Sequence, residues 1–221
     1  MALASDGVSL NGDLVLPTGA TGLVIFAHGS GSSRFSPRNR YVAGVLHDAR
    51  IGTLLMDLLT MKEQDVDDYT RHLRFDIPLL ARRLEAAIDW ARKDQATRGL
   101  PIGLFGASTG AAAALVAAAH KPADVQAVVS RGGRPDLAGG DLAGVRAPVL
   151  MIAGGYDEQV LELNRQAADR LRVPYEIQIV PRATHLFEEP GALEQAAERA
   201  REWFIRHLTA RTGSRTDDPG K

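Results

Sequence analysis

The sequence predicts an α/β domain, a mostly parallel sheet with helices packed on both faces, and three observations carry that reading. Short apolar runs alternate along the chain with longer segments of helical period. The runs read as strands covered on both sides, which is the habit of a parallel sheet. Between one such run and an alanine-rich helical segment sits Gly106-Ala107-Ser108-Thr109-Gly110, a G-x-S-x-G pentapeptide at a strand-to-helix junction. The chain has 221 residues, of which 45% are hydrophobic, and that is enough apolar surface for one domain with a full core.

Each element has its own justification. The opening stretch Val8–Leu16 alternates apolar and polar residues and is expected to pair antiparallel at a sheet edge. Strands follow at Gly22–His28, Gly52–Leu58, Ile102–Phe105, Val125–Ser130, Val149–Ala153 and Tyr175–Val180. Helices are expected between them at Arg38–Ala49, Arg71–Lys93, Thr109–His120, Glu158–Leu171 and Leu193–Thr209. In the second of these, Leu73, Ile77, Leu80, Leu84, Ala87, Ile88 and Ala91 recur at three- and four-residue steps and form one apolar stripe, with Arg82, Arg83, Glu85 and Asp89 as its charged face. Pro78 lies inside that segment, so the helix starts or bends there. The stretches Leu59–Tyr69 and Arg131–Val145 read as loops. The domain is expected to span residues 1–210, and the polar, aperiodic residues 211–221 to form a disordered tail.

Composition narrows the function classes. A formal net charge of -1 gives no footprint for nucleic acid or an anionic membrane. With no cysteine, disulfides, thiolate metal sites and cysteine nucleophiles are excluded. No two histidines have metal-ligand spacing, so no metal is expected. The N-terminus lacks the basic start and apolar stretch of a signal peptide, and no apolar run approaches the roughly 20 residues of a membrane span, so the default expectation is a soluble cytoplasmic protein.

Ser108 is the candidate nucleophile. A strand turning directly into a helix forces the residue between them into a strained conformation that lifts its side chain above the sheet, while the helix start brings unpaired N–H groups to the same point. A serine hydroxyl needs a general base, and the base needs a third group to fix its tautomer. In an open parallel sheet such groups gather at the carboxyl ends of strands. Asp157 follows the apolar run Val149–Ala153 and a glycine pair, with Glu158 and Asp136 as alternative acids, and His185 follows Tyr175–Val180 across a short connection. An oxyanion would be held by the N–H of Thr109, next to the nucleophile, and by that of Ser30 in the glycine-rich loop after the strand ending at His28. His28 itself reads as structural, bracing that loop.

Five arginines crowd the predicted site loops: Arg34, Arg38, Arg40, Arg131 and Arg134. Internal pairing with Asp57, Asp76 or Asp136 is the favoured reading for the group, because five uncompensated charges in one site would be costly. Arg131, directly after a strand, is the best candidate for contact with substrate.

Val24–Ser32, the Gly106–Gly110 pentapeptide, Gly154-Gly155-Tyr156-Asp157 and Ala183-Thr184-His185, in the chain order Ser, Asp, His, resemble the α/β-hydrolase superfamily, most nearly its dienelactone hydrolase-like proteins. The resemblance runs from Val8 to Leu208. It implies a three-layer α/β-hydrolase fold and a Ser108, Asp157, His185 triad that cleaves small ester or lactone substrates through an acyl-enzyme, without a cofactor. Dienelactone hydrolases proper use a cysteine nucleophile where this chain has Ser108, so their particular substrate does not carry over. The interval of about 18 residues between the strands ending at Ser130 and starting at Val149 is too short for a lid domain. The alternatives are acyl transfer by the same triad and a noncatalytic ligand-binding module on this scaffold. A nucleotide-binding loop is excluded at Gly29-Ser30-Gly31, where Arg34 stands in place of the third glycine of G-x-G-x-x-G. Whether the chain is a monomer or a homodimer is left open.

Overall fold

The computed structural model describes residues 1–208. Eight strands form one sheet: β1 (Ala2–Ser5), β2 (Val8–Val15), β3 (Gly22–Ala27), β4 (Ile51–Met56), β5 (Ile102–Ala107), β6 (Val125–Arg131), β7 (Val149–Gly154) and β8 (Tyr175–Val180), in the order β1-β2-β4-β3-β5-β6-β7-β8. From β4 to β8 every neighbouring pair is parallel, while β1 with β2 and β2 with β4 are antiparallel. The sheet is therefore an open, mostly parallel one. Strands β3 to β7 are buried along almost their whole length, which is why they read as continuous apolar runs; β8 lies at the edge and is partly exposed.

Helices cover both faces. On one side, α1 (Pro37–Asp48) and the C-terminal α6 (Ala192–His207) pack against Phe26, Phe105 and Ile152 through Leu46, Trp203 and Phe204. On the other, α3 (Ile77–Lys93), α4 (Thr109–His120) and α5 (Glu158–Ala168) bury Leu84, Ile88, Leu115 and Ala167 against Ile25, Leu104 and Met151. α4 is buried on nearly every side. Its run of alanines lets it lie close to its neighbours, and glycine or bulkier side chains would loosen or crowd that packing.

Four differences from the sequence reading have physical causes. Leu3 and Ser5 of β1, in a stretch assigned no element, are buried by pairing with β2 across the turn at Asp6 and Gly7, whose φ angles of 47° and 76° suit a tight hairpin. β2 is thus antiparallel as expected, but β1 takes the edge. The stretch Leu59–Tyr69, expected as loop, carries α2 (Met61–Thr70), which lacks an apolar stripe and is held by a capping box between Thr60 and Glu63. The helix expected over Arg71–Lys93 begins only at Ile77, with Pro78 in its first turn and Asp76 accepting from the Leu79 N–H. Arg83 is not on a charged outer face: it is buried, donating to the Ser5 carbonyl at 2.6 Å and pairing with Glu63 at 2.8 Å. Between β6 and β7 lies a 3₁₀ segment, Pro135–Gly144, and no separate lid domain is inserted there. Thr209, where α6 was expected to end, and the tail 211–221 lie outside the described residues.

Candidate active site

β5 passes directly into α4 at Ser108, whose φ of 50° and ψ of −121° lie where L-residues are strained. The surrounding backbone over-determines that conformation. The Ser108 N–H donates to the Arg131 carbonyl at 3.2 Å, and the Ser108 carbonyl accepts from the N–H groups of Ala111 and Arg134, both at 3.1 Å. The flanking glycines permit the closeness: a Cβ on Gly106 would stand 2.4 Å from the Ala111 Cα, and one on Gly110 2.3 Å from the Ala27 carbonyl oxygen.

Asp157 and His185 reach Ser108 from the next two strand ends. The loops after β7 and β8 are tied together by Gly155 N–H to the Val180 carbonyl and Tyr156 N–H to the Ala183 carbonyl, each at 2.9 Å. This brings the His185 Nδ1–H to Asp157 Oδ2 at 2.7 Å and leaves Nε2 3.3 Å from the Ser108 hydroxyl. An ionised carboxylate only accepts, so it fixes the imidazole proton on Nδ1 and turns the Nε2 lone pair toward Ser108. Asp157 occupies the N-cap position of α5, yet its side chain makes no capping bond; it serves His185 instead.

The N–H of Thr109 is the first of α4, and that of Ser30 lies in the loop after β3. Neither has a main-chain partner among the described residues. Ser30 lines one cavity with Ser108 and a small recess with Thr109. The loop is braced by His28, which donates from Nδ1 to the Gly29 carbonyl at 2.9 Å and accepts at Nε2 from the Leu58 N–H at 3.1 Å. Burial pushes the His28 pKa down and keeps the ring neutral, as this pattern requires.

The arginines separate. Arg34 pairs with Asp57 and reaches Asp13 at 3.5 Å, Arg38 meets Glu188 at 3.0 Å, Arg40 meets Asp13 at 3.7 Å and Arg134 grips Asp136 through two bonds of 2.8 and 2.9 Å. Asp76 is not a partner, because it caps α3. Arg131 stands apart. The residue is 93% buried, its Nε and Nη1 have no hydrogen-bond partner among the described residues, and its guanidinium lies 6.0 and 5.8 Å from the ring centroids of Phe105 and Phe187. Burial, with the charge of Arg38 nearby, lowers its pKa to about 10. Arg131, Arg38, Ser108 and His185 line one cavity of about 220 Å³ together with Ser36 and Asn39, two residues of the α1 start that the sequence reading passed over. The Ser36-Pro37 start of α1 was the available signal.

The comparisons agree with this architecture. The model of the dienelactone hydrolase family matches residues 57–210. A crystal structure of a dienelactone hydrolase from Anabaena variabilis is 58% identical, with a TM-score of 0.92 over 94% of this chain and 96% of that one. Est1E of Butyrivibrio proteoclasticus, solved with ferulic acid bound, shares the fold at 18% identity, with a TM-score of 0.78 over 94% of this chain and 98% of that one. A Mycobacterium tuberculosis protein provisionally named a phosphoribosyl transferase is 55% identical over 91% of this chain. The chain spans only 44% of that relative's length. With a family model covering most of its length and the fold shared throughout, the chain belongs to the dienelactone hydrolase family.

Proposed function

We propose that the protein is a serine hydrolase that cleaves carboxylic esters or lactones of small soluble molecules. The observation that supports this most is the continuous relay from Ser108 through His185 to Asp157, at 3.3 and 2.7 Å. In the proposed reaction, Ser108 Oγ attacks the ester carbonyl while His185 Nε2 takes its proton, and Asp157 steadies the imidazolium. The N–H groups of Thr109 and Ser30 receive the oxyanion, His185 returns the proton to the departing alkoxide, and water then releases the acyl group by the same route. Neutral His28 braces the Ser30 loop without competing as a base. Arg131 contacts the substrate. His185 is 39% exposed, so water can reach the acyl-enzyme for its hydrolysis. The name of the longer mycobacterial relative has no bearing on the chemistry at Ser108.

The test is Ser108→Ala assayed with a short-chain p-nitrophenyl ester and with a fluorophosphonate probe. Turnover is expected to drop by at least ~10⁴-fold with far-UV circular dichroism unchanged, and labelling to disappear. A variant that keeps wild-type turnover removes Ser108 from the mechanism, and a wild-type protein that never labels favours the noncatalytic binding module. Adding an alcohol or peroxide and analysing the products separates hydrolysis from transfer.

A further inference from the structure

Beside Ser108 lies the buried guanidinium of Arg131, which meets no carboxylate among the described residues. We propose that the cavity next to Ser108 is a phosphate subsite, in which Arg131, Arg38 and the first turn of α1 hold a dianionic phosphate-type group carried by the substrate. This rests on the hydrolase reading and deepens it by naming the substrate class.

Three independent features converge there. Arg131 is buried with Nε and Nη1 unpaired, and it makes no ion pair among the described residues. Arginine cannot shed its charge at neutral pH, so a buried guanidinium without a partner is costly in the free protein and becomes favourable once an anion arrives. The second feature is the N-terminus of α1. No acidic residue stands in its first turn, Pro37 has no N–H, the Asn39 N–H is taken by Ser36 Oγ at 3.3 Å, and the Arg38 N–H has no partner among the described residues. That end of a twelve-residue helix offers a free donor and a positive dipole. The third is the rest of the lining: among the described residues no Asp or Glu belongs to the cavity wall, Arg38 has only the largely exposed Glu188 as ion-pair partner, and the Asn39 side-chain oxygen has no hydrogen-bond partner.

Charge and shape favour phosphate over a single carboxylate. Arg131 brings one unanswered positive charge, and Arg38 a second whose carboxylate partner among the described residues, Glu188, is largely exposed and open to competition from a substrate anion. Donors approach from the end of β6, from the start of α1 and from the serine loop after β3, which suits the three terminal oxygens of a tetrahedral group, whereas a carboxylate fills one guanidinium fork. Ser108 and the subsite share one cavity, so the reacting carbonyl and the phosphate belong to one small molecule.

The experiment has two arms whose failures differ. In the first, inorganic phosphate is titrated calorimetrically into Ser108→Ala protein, which needs no catalysis. Saturable binding with a Kd of about 1 mM or tighter is expected, weakened at least ~10-fold by adding Arg131→Met, less by Arg38→Met, and partly restored by Arg131→Lys. Arg131→Met is also expected to raise the Tm of the free protein by several degrees, because it removes an unanswered buried charge. Absence of saturable binding, equal binding in Arg131→Met, or a lowered Tm in that variant each overturns the subsite. In the second arm, wild-type kcat/KM is measured on matched p-nitrophenyl esters whose acyl chains end in methyl, carboxylate or phosphonate. The phosphonate ester is expected to lead the methyl ester by about 30-fold; equal rates, or a lead for the carboxylate, overturn the assignment. Ester turnover without phosphate binding leaves the hydrolase reading standing and removes the subsite, and phosphate binding without fluorophosphonate labelling does the reverse.

Discussion

At the scale of single residues, the carboxylate of Asp157 enters the proposed reaction only through the imidazole it holds at 2.7 Å. Asp157→Asn retains shape but offers an amide that can donate, so the imidazole can turn its proton toward Ser108 and lose its function as base. We expect kcat to fall by about 10³–10⁴-fold with little change in KM, and wild-type kinetics in this variant would separate Asp157 from the reaction. The residues of this relay were legible in the sequence because each lies just after an apolar run, and one lies in a pentapeptide whose strand and helix are both visible. The arginines were not legible in the same way. In sequence Arg131 looks like Arg34 or Arg134, and only the fold shows that those two find Asp57 and Asp136 while Arg131 finds no carboxylate among the described residues. Pairing is a property of three dimensions, and spacing along the chain does not encode it.

At the scale of elements, the two that the sequence concealed share one anchor. β1 has four residues and α2 no apolar stripe, so neither carries a periodicity that a reading of hydrophobic pattern can find. Beyond the β1–β2 pairing and the capping box, both are tied to Arg83 on α3, which donates to the Ser5 carbonyl of β1 and pairs with Glu63, the same glutamate that closes the capping box of α2. The Thr60–Glu63 spacing was a readable signal for α2; the inward turn of Arg83 was not, because its helical position neighbours the exposed Arg82. Arg83→Ala therefore leaves the Ser5 carbonyl unpaired and Glu63 without its cation. We expect a loss of about 2–4 kcal/mol in urea unfolding, with amide exchange accelerated first in β1 and α2. Uniform acceleration across the sheet, or no loss, would show that these elements are held by something else. The long stripe of α3 was visible throughout, and its start was displaced only because Pro78 suits a first turn better than an interior one.

At the scale of the whole molecule, the unbroken apolar character of the central strands accords with their parallel pairing and burial on both faces, and the short span between β6 and β7 leaves no room for an inserted lid domain. The same burial that makes this core also sets how the protein meets acid. His28, His47 and His207 all have pKa values pushed below the ordinary 6.5, each chiefly by burial, opposed at His28 by the Gly29 carbonyl and Asp57 and at His47 by Asp48. In the unfolded chain these rings take up protons as the pH falls through about 6.5, whereas the folded chain resists, so below that point protons bind preferentially to the unfolded state. Folding stability is thus greatest above 6.5 and declines on acidification, down to the depressed folded-state values. His28 contributes at most about 1.4 kcal/mol per pH unit in that window, and its protonation would in addition break the bond it accepts from Leu58 N–H. Urea midpoints measured at pH 7.5, 6.5 and 5.5 are expected to fall in that order, and His28→Gln, which does not titrate, to flatten the slope while lowering stability at every pH. A midpoint that rises toward acid would contradict neutral histidines, buried at His28 and partly buried at His47 and His207, as the source of the pH response.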